Sequence, residues 1–188
     1  ALYSTPAGKN TIVIVLADHG DGMGSHRMVT KQVSFYEEMT NVPFIIAGPG
    51  IHPRQKPVED LLTQPTIDLL PTLCELAGIP VPSSKPGISL APFLKGEKQK
   101  RQHPYAASEW HSEYEVTVSP GRMIRSPRYK YTHYLEGNGE ELYDMLKDKG
   151  ERRNLAHDPK YSKILAEHRA LLDDYIRRTQ DDYRSLKV

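Results

Sequence analysis

The chain has 188 residues, 38% of them hydrophobic, and a formal net charge of +1. That length allows one domain with a good core, or one core plus a small subdomain. The even charge excludes the basic stripe of a nucleic-acid binder, and no apolar run exceeds about seven residues, far short of a membrane span.

Residues 1–10 are small and polar and read as a loop. Residues 11–17, Thr-Ile-Val-Ile-Val-Leu-Ala, predict a strand buried on both faces, as in a parallel sheet covered by helices. At Asp18 the character changes to a carboxylate, the His19 imidazole and spaced glycines (Gly20, Gly22, Gly24), followed by His26 and Lys31. Ligands of open α/β sheets bind at the carboxyl ends of strands, so a strand that stops on Asp-His before a glycine-rich loop predicts a site. Residues 32–39 predict a short helix, and residues 42–47 a second buried strand with Pro43 near its start. Gly48-Pro49-Gly50 predicts a turn. Residues 58–62 suit a short third strand.

Residues 65–77 carry apolar positions at helical spacing (Ile67, Leu70, Leu73, Leu76, Ala77), with Gly78 as the stop. Pro71 restricts that helix to one in which it occupies the first turns, with Thr66 or Asp68 as cap. Residues 79–100 are rich in Pro, Ser and Lys, allow one helical turn at 89–94, and mark a boundary between parts 1–100 and 101–188. The second part holds most of the eleven tyrosines. It predicts strands at 104–110, 122–125 and 129–134, a hairpin turn at Ser126-Pro127-Arg128, and a short strand at 140–143. Asp158-Pro159 opens a helix whose stripe of Ile164, Leu165, His168, Leu171, Leu172, Tyr175 and Ile176 covers that sheet. The charged tail after Thr179 is expected to be loosely held. A single cysteine, Cys74, excludes an internal disulfide. No signal peptide is visible, in a chain that opens on Ala1.

Several blocks recur in one order: Asp18-His19-Gly20, then Gly24, His26 and Lys31, then Phe35-Tyr36-Glu37-Glu38 and Val42-Pro43-Phe44-Ile45-Ile46. The run Asp68-Leu-Leu-Pro-Thr-Leu-Cys-Glu-Leu-Ala-Gly78, then residues 125–131, Glu141-Leu-Tyr-Asp144 and Glu-Arg-Arg-Asn-Leu-Ala at 151–156 continue the series. This set resembles the type I sulfatases of the alkaline phosphatase superfamily. The resemblance implies an α/β fold. It is the end of a mixed or parallel sheet core (1–100) plus an α+β subdomain with a small antiparallel sheet and a long helix (101–188). It covers only the second half of such an enzyme. The first half of a member carries an acidic metal-binding pair and a Cys or Ser before x-Pro-x-Arg, whose Cys or Ser becomes the formylglycine nucleophile. Neither is in this sequence, and Cys74 is followed by Glu-Leu-Ala, so the isolated chain is expected to be inactive.

By resemblance, Asp18 and His19 are ligands of one divalent metal. Calcium is usual in the family, and a histidine ligand leaves manganese or magnesium open. Read alone, an Asp-His pair after a strand is more often a turn or a cap. Two ligands are too few for tight binding, so the missing half would supply the rest. Lys31 would contact the sulfate oxygens, where a cation offsets developing charge, against the default of a solvated lysine. His26 would line the pocket or donate to the leaving oxygen, or else only pack its loop. Asp21 reads as a loop carboxylate, and Glu37 and Glu38 as structural. Trp110, His111 and Glu113 would shape a sugar pocket, with Trp as stacking face, or form an ordinary strand-end loop. Arg125, Arg128 and Lys130 read as a solvated basic hairpin, with an anionic polysaccharide contact as the other choice. His133, His157 and His168 read as structural or surface.

The implied activity is hydrolysis of a sulfate ester, on a small molecule or a carbohydrate. One alternative is a phosphonate monoester or phosphodiester hydrolase of the same superfamily. Another is a non-catalytic fragment or degenerate glycan-binding homologue. The resemblance also implies a periplasmic, secreted or lysosomal-type compartment. Expected partners are the missing half and, through an exposed strand edge, a second copy; no nucleic-acid or membrane partner is expected.

Overall fold

The computed structural model describes residues 1–29, 33–58, 61–98, 102–111 and 119–186. The chain divides into two compact units, one of Ala1–Gly20 with Asn41–Pro104 and one of Asp21–Thr40 with Tyr105–Val188. The fold is mixed α/β, with two small antiparallel sheets and a long C-terminal helix.

In the first unit, β1 (Val13–Leu16) pairs antiparallel with β2 (Phe44–Ala47), in register from Val13 opposite Ala47 to Leu16 opposite Phe44. The expectation of a first strand buried on both faces and of a buried second strand does not hold within this unit. Val15 and Ile45, which lie opposite one another, are 49% and 57% exposed. A two-stranded ribbon has two open faces, and the apolar side chains on one of them meet no cover among the described residues. The strand expected at 58–62 does not form at the described positions 58, 61 and 62.

Helix α2 (Pro65–Leu76) begins with proline at its first position, and Pro71 falls in its second turn. Asp68 is its organising side chain. One carboxylate oxygen accepts the Gln64 N–H at 2.7 Å at the helix start. The other accepts the Ile88 N–H at 2.8 Å and lies 2.7 Å from His103 Nε2. Thr72 donates to the Asp68 carbonyl and accepts the Leu90 N–H, which ties the following segment and α3 (Ala91–Leu94) to α2. Pro71 has no N–H for the carbonyl of Ile67. Gly87, at φ +110°, closes on that carbonyl so tightly that a Cβ would sit 2.1 Å from its oxygen.

The second unit is built on an antiparallel sheet in the order β3 (Ala106–Trp110), β4 (Gly121–Arg125), β5 (Tyr129–Tyr134), β6 (Glu140–Asp144). Ala107, Ile124, Tyr131 and Leu142 stand side by side in register on one face. Helix α4 (Ser162–Thr179) buries Leu165 and Leu172 against that row, with Ile164, Leu171, Tyr175 and Ile176 flanking, as its periodicity predicts. A short turn at Pro159–Tyr161, with Asp158 accepting the Lys160 N–H, delays the helix start to Ser162.

The tail after Thr179 is held, not loose. Asp181 accepts two hydrogen bonds from Arg122, at 2.6 and 2.8 Å, and Tyr183 is fully buried. The Arg122 guanidinium lies over the Tyr183 ring, whose hydroxyl donates to the His133 carbonyl at 2.9 Å. Asp181 in this tail is thus the partner of a cation on β4, and Arg184 pairs with Asp173 of α4, neither of which a pattern local to the tail reveals.

The opposite sheet face is covered by residues 33–40. Helix α1 (Glu37–Thr40) is shorter than the expected 32–39, whose first residue lies outside the described set. The Phe35 ring sits over Gly121, where a Cβ would come within 2.6 Å of it.

Candidate functional site

After β1 the chain reaches Asp18 and His19 in the first unit. The Asp18 carboxylate accepts the His19 N–H at 3.0 Å. His19 Nδ1 lies 2.7 Å from the Gly20 carbonyl oxygen. A carbonyl only accepts, so Nδ1 carries the proton and Nε2 is the ring's second pole. Nε2 lies 3.6 Å from Asp18 Oδ2, and the Asp18 side chain is largely exposed. A ring nitrogen fixed by its other N–H and placed beside a carboxylate is the arrangement that metal-ligating histidines use. Among the described residues no third His, Cys, Asp or Glu joins them. The donor set fits a hard or borderline cation, and it is partial. Asp21 accepts the Met23 N–H at 3.2 Å, a loop-closing turn.

His26 belongs to the second unit. It sits in a strained stretch where Met23, His26 and Arg27 all have positive φ, 44°, 48° and 63°. Its ring stacks flat on Tyr36, 3.7 Å between centroids and 2° between planes. Ser25 donates to Glu38 at 2.5 Å. Burial tends to raise the Glu38 carboxyl, but this hydrogen bond and others outweigh it and hold the group below its usual range. Gly24, Ser25, His26, Gly150 and Arg152 line a cleft of about 500 Å³.

Under this loop lies a buried charge cluster that the sequence reading missed. Lys130, 1% exposed, pairs with Glu37 at 2.7 Å and Glu151 at 2.9 Å and donates to the Phe35 carbonyl at 2.9 Å. Glu151 also accepts the Glu37 N–H at 2.6 Å. Burial pushes the Glu151 carboxyl up, and Lys130 pulls it back. Glu141 is also pushed up, by burial and then by Glu151, while burial pushes Arg125 down. The basic hairpin is therefore a solvated face only at Arg128, which is exposed. Arg128 pairs with Asp144 at 2.7 Å, Arg125 lies 3.8 Å from Glu37, and Lys130 is in the interior. Alternation along β5 assigns Lys130 to the face opposite Tyr131, and only the tertiary placement of residues 35–40 shows that this face is covered. The one sequence signal was Glu37 itself, an acidic residue in the right block.

Trp110 closes β3 half-buried; its Nε1 is buried without a hydrogen-bond partner among the described residues, and its carbonyl accepts from Arg122 at 2.9 Å. His111 is exposed. Lys31 and Glu113 lie outside the described residues. His133 and His168 are buried, His168 between Ser126 at 2.9 Å and the Ile164 carbonyl at 2.8 Å. The described candidates thus fall as Asp18 and His19 in the first unit and His26, Trp110 and His111 in the second.

Residues 24–178 match the family model described as N-sulphoglucosamine sulphohydrolase, C-terminal. Over all 188 residues the chain is 79% identical to the Delta 4,5-hexuronate-2-O-sulfatase of Bacteroides thetaiotaomicron, covering 100% of this chain and 39% of that protein. The solved structure of a 2-O GAG sulfatase superposes with a TM-score of 0.95 at 78% identity, covering 99% of this chain and 40% of that one. The phosphonate monoester hydrolase of Silicibacter pomeroyi superposes with a TM-score of 0.82 at 27% identity, covering 98% and 38%. The chain spans about two fifths of the length of these relatives. With the fold, the loop after β1 and the match over residues 24–178 agreeing, the chain belongs to the sulfatases, in the family of N-sulphoglucosamine sulphohydrolase C-terminal regions.

Proposed function

We propose that the protein hydrolyses a sulfate ester on an acidic carbohydrate, a 2-O-sulfated hexuronate. The observation that carries the reading is the His19 lock. The Gly20 carbonyl holds Nδ1–H, so Nε2 is left as an electron-pair donor 3.6 Å from the Asp18 carboxylate, a pair that would suit two ligands of one cation. The 79% identity to a hexuronate 2-O-sulfatase supports the choice of ester and sugar.

Asp18 and His19 would hold a divalent metal, calcium by family habit, with manganese or magnesium compatible with the nitrogen donor. Bound there, it would supply positive charge to the sulfate oxygens. Lys31 contributes a second cation to those oxygens, which counts most as charge develops on them. His26, its ring plane set by Tyr36, protonates the leaving sugar oxygen. Trp110 and His111 contact the saccharide beyond the ester. The nucleophile, a formylglycine, lies outside these 188 residues.

The test is sulfate release from a 2-O-sulfated unsaturated uronate disaccharide by the full-length protein. Wild type releases sulfate, and chelation abolishes release, with divalent cation restoring it. A chelator-insensitive activity would overturn the metal assignment, and no release would overturn the ester.

A further inference from the structure

The cleft of the second unit has two walls, residues 24–26 and residues 150–152. Both are fixed from beneath. The first is tied by the Ser25–Glu38 hydrogen bond and by the stacking of His26 on Tyr36. The second turns at Glu151, which takes φ +49° and is clamped by Lys130 and the Glu37 N–H. One buried ammonium, Lys130, therefore binds the base of both walls, and the cleft is preorganised.

Its lining carries positive character and no carboxylate. Arg152 is exposed, and among the described residues its guanidinium has no ion pair. Its Nε lies 3.5 Å from where a Cβ on Gly150 would sit, so the side chain folds back across that glycine. Asp148 accepts the Arg152 backbone N–H at 2.9 Å and fixes where the side chain starts. A volume of about 500 Å³ accommodates a sugar ring, and Gly24, with open space around it, leaves room on one wall.

We propose that this cleft is a subsite for the carboxylate of a uronate ring, with Arg152 as the residue that selects it. The planar guanidinium matches a carboxylate with two parallel hydrogen bonds, and His26 offers a ring edge to a neighbouring hydroxyl. The choice of a uronate rests on the sulfate-ester reading above. The recognition chemistry is independent of turnover.

The experiment is therefore equilibrium binding to the full-length protein. The probes are a desulfated unsaturated uronate disaccharide, its methyl ester, and 6-O-sulfated glucosamine. Arg152→Gln is expected to weaken the free carboxylate about 10- to 100-fold, with Arg152→Lys recovering part of the loss. The methyl ester should bind wild type and R152Q alike. Equal binding of the carboxylate by wild type and R152Q would overturn the proposal, as would a loss confined to the sulfated glucosamine. Sulfate release, measured separately, reports on the ester reading, so each can fail without the other.

Discussion

At the scale of single residues, two candidate side chains, one in each unit, are each held by one small constraint. His19 is oriented by one hydrogen bond to its neighbour's carbonyl, and His26 by one ring laid against it. Asp18→Ala is expected to abolish metal-dependent sulfate release by the full-length protein, while Asp21→Ala costs less than tenfold in kcat/KM. Equal losses, measured by sulfate release, would mean that the loop carboxylates have been exchanged. Lys130 is a different case, because it works beneath the site. Lys130→Met leaves the buried Glu151 without its paired cation, and breaking a buried pair in this way costs about 3 to 5 kcal/mol. Denaturant unfolding reads that loss directly, and a change under about 1 kcal/mol would contradict the burial argument. The strand end at Asp18 and the glycine-rich loop that follows it were legible as a candidate site because strand-loop chemistry is local. Lys130 and Arg152 were not, because their meaning depends on segments more than 90 residues away for Lys130 and on the Gly24–His26 wall for Arg152.

At the scale of elements, the second unit's sheet is braced by carboxylate–guanidinium pairs. Arg169 holds the Glu140 carboxyl down to about 2, Arg122 holds Asp181 below its usual range, and Arg128 does the same for Asp144. Each is a carboxyl whose folded pKa is depressed. The stability it contributes is present above the unfolded value, 4.5 for Glu140 and 3.8 for the two aspartates, and is lost as pH falls through the folded one. Near-ultraviolet circular dichroism between pH 6 and about pH 2 should therefore show tyrosine packing lost below about pH 4.5 and not above it. Arg122→Ala should move that transition to higher pH by releasing the tail at Asp181 and Tyr183. A transition unmoved by the substitution would show that the tail contributes nothing to the sheet. The helices and the four-stranded meander were legible from periodicity and turn chemistry. The tail was not, since its Asp181 pairs with Arg122 across 59 residues of sequence.

At the scale of the whole molecule, the chain is one part of a sulfatase scaffold in which the candidate residues fall in two units. The apolar pattern of β1 and β2 correctly identified strands, and it overestimated their cover. A run of Val and Ile reports what a strand tolerates on both faces, not what this chain places there. Expressed alone, the 188 residues are expected to release no sulfate, because the nucleophile is proposed to lie outside them. The scaffold itself does not separate sulfate from phosphonate esters, given a TM-score of 0.82 to a phosphonate monoester hydrolase. The decisive measurement is kcat/KM of the full-length protein on a 2-O-sulfated unsaturated uronate disaccharide against an aryl phosphonate monoester. A preference for the sulfate of at least about 100-fold is expected, since an ester selected through both its sulfate and its sugar gains transition-state binding that an aryl phosphonate lacks. Equal turnover, or a preference for the phosphonate, would contradict it.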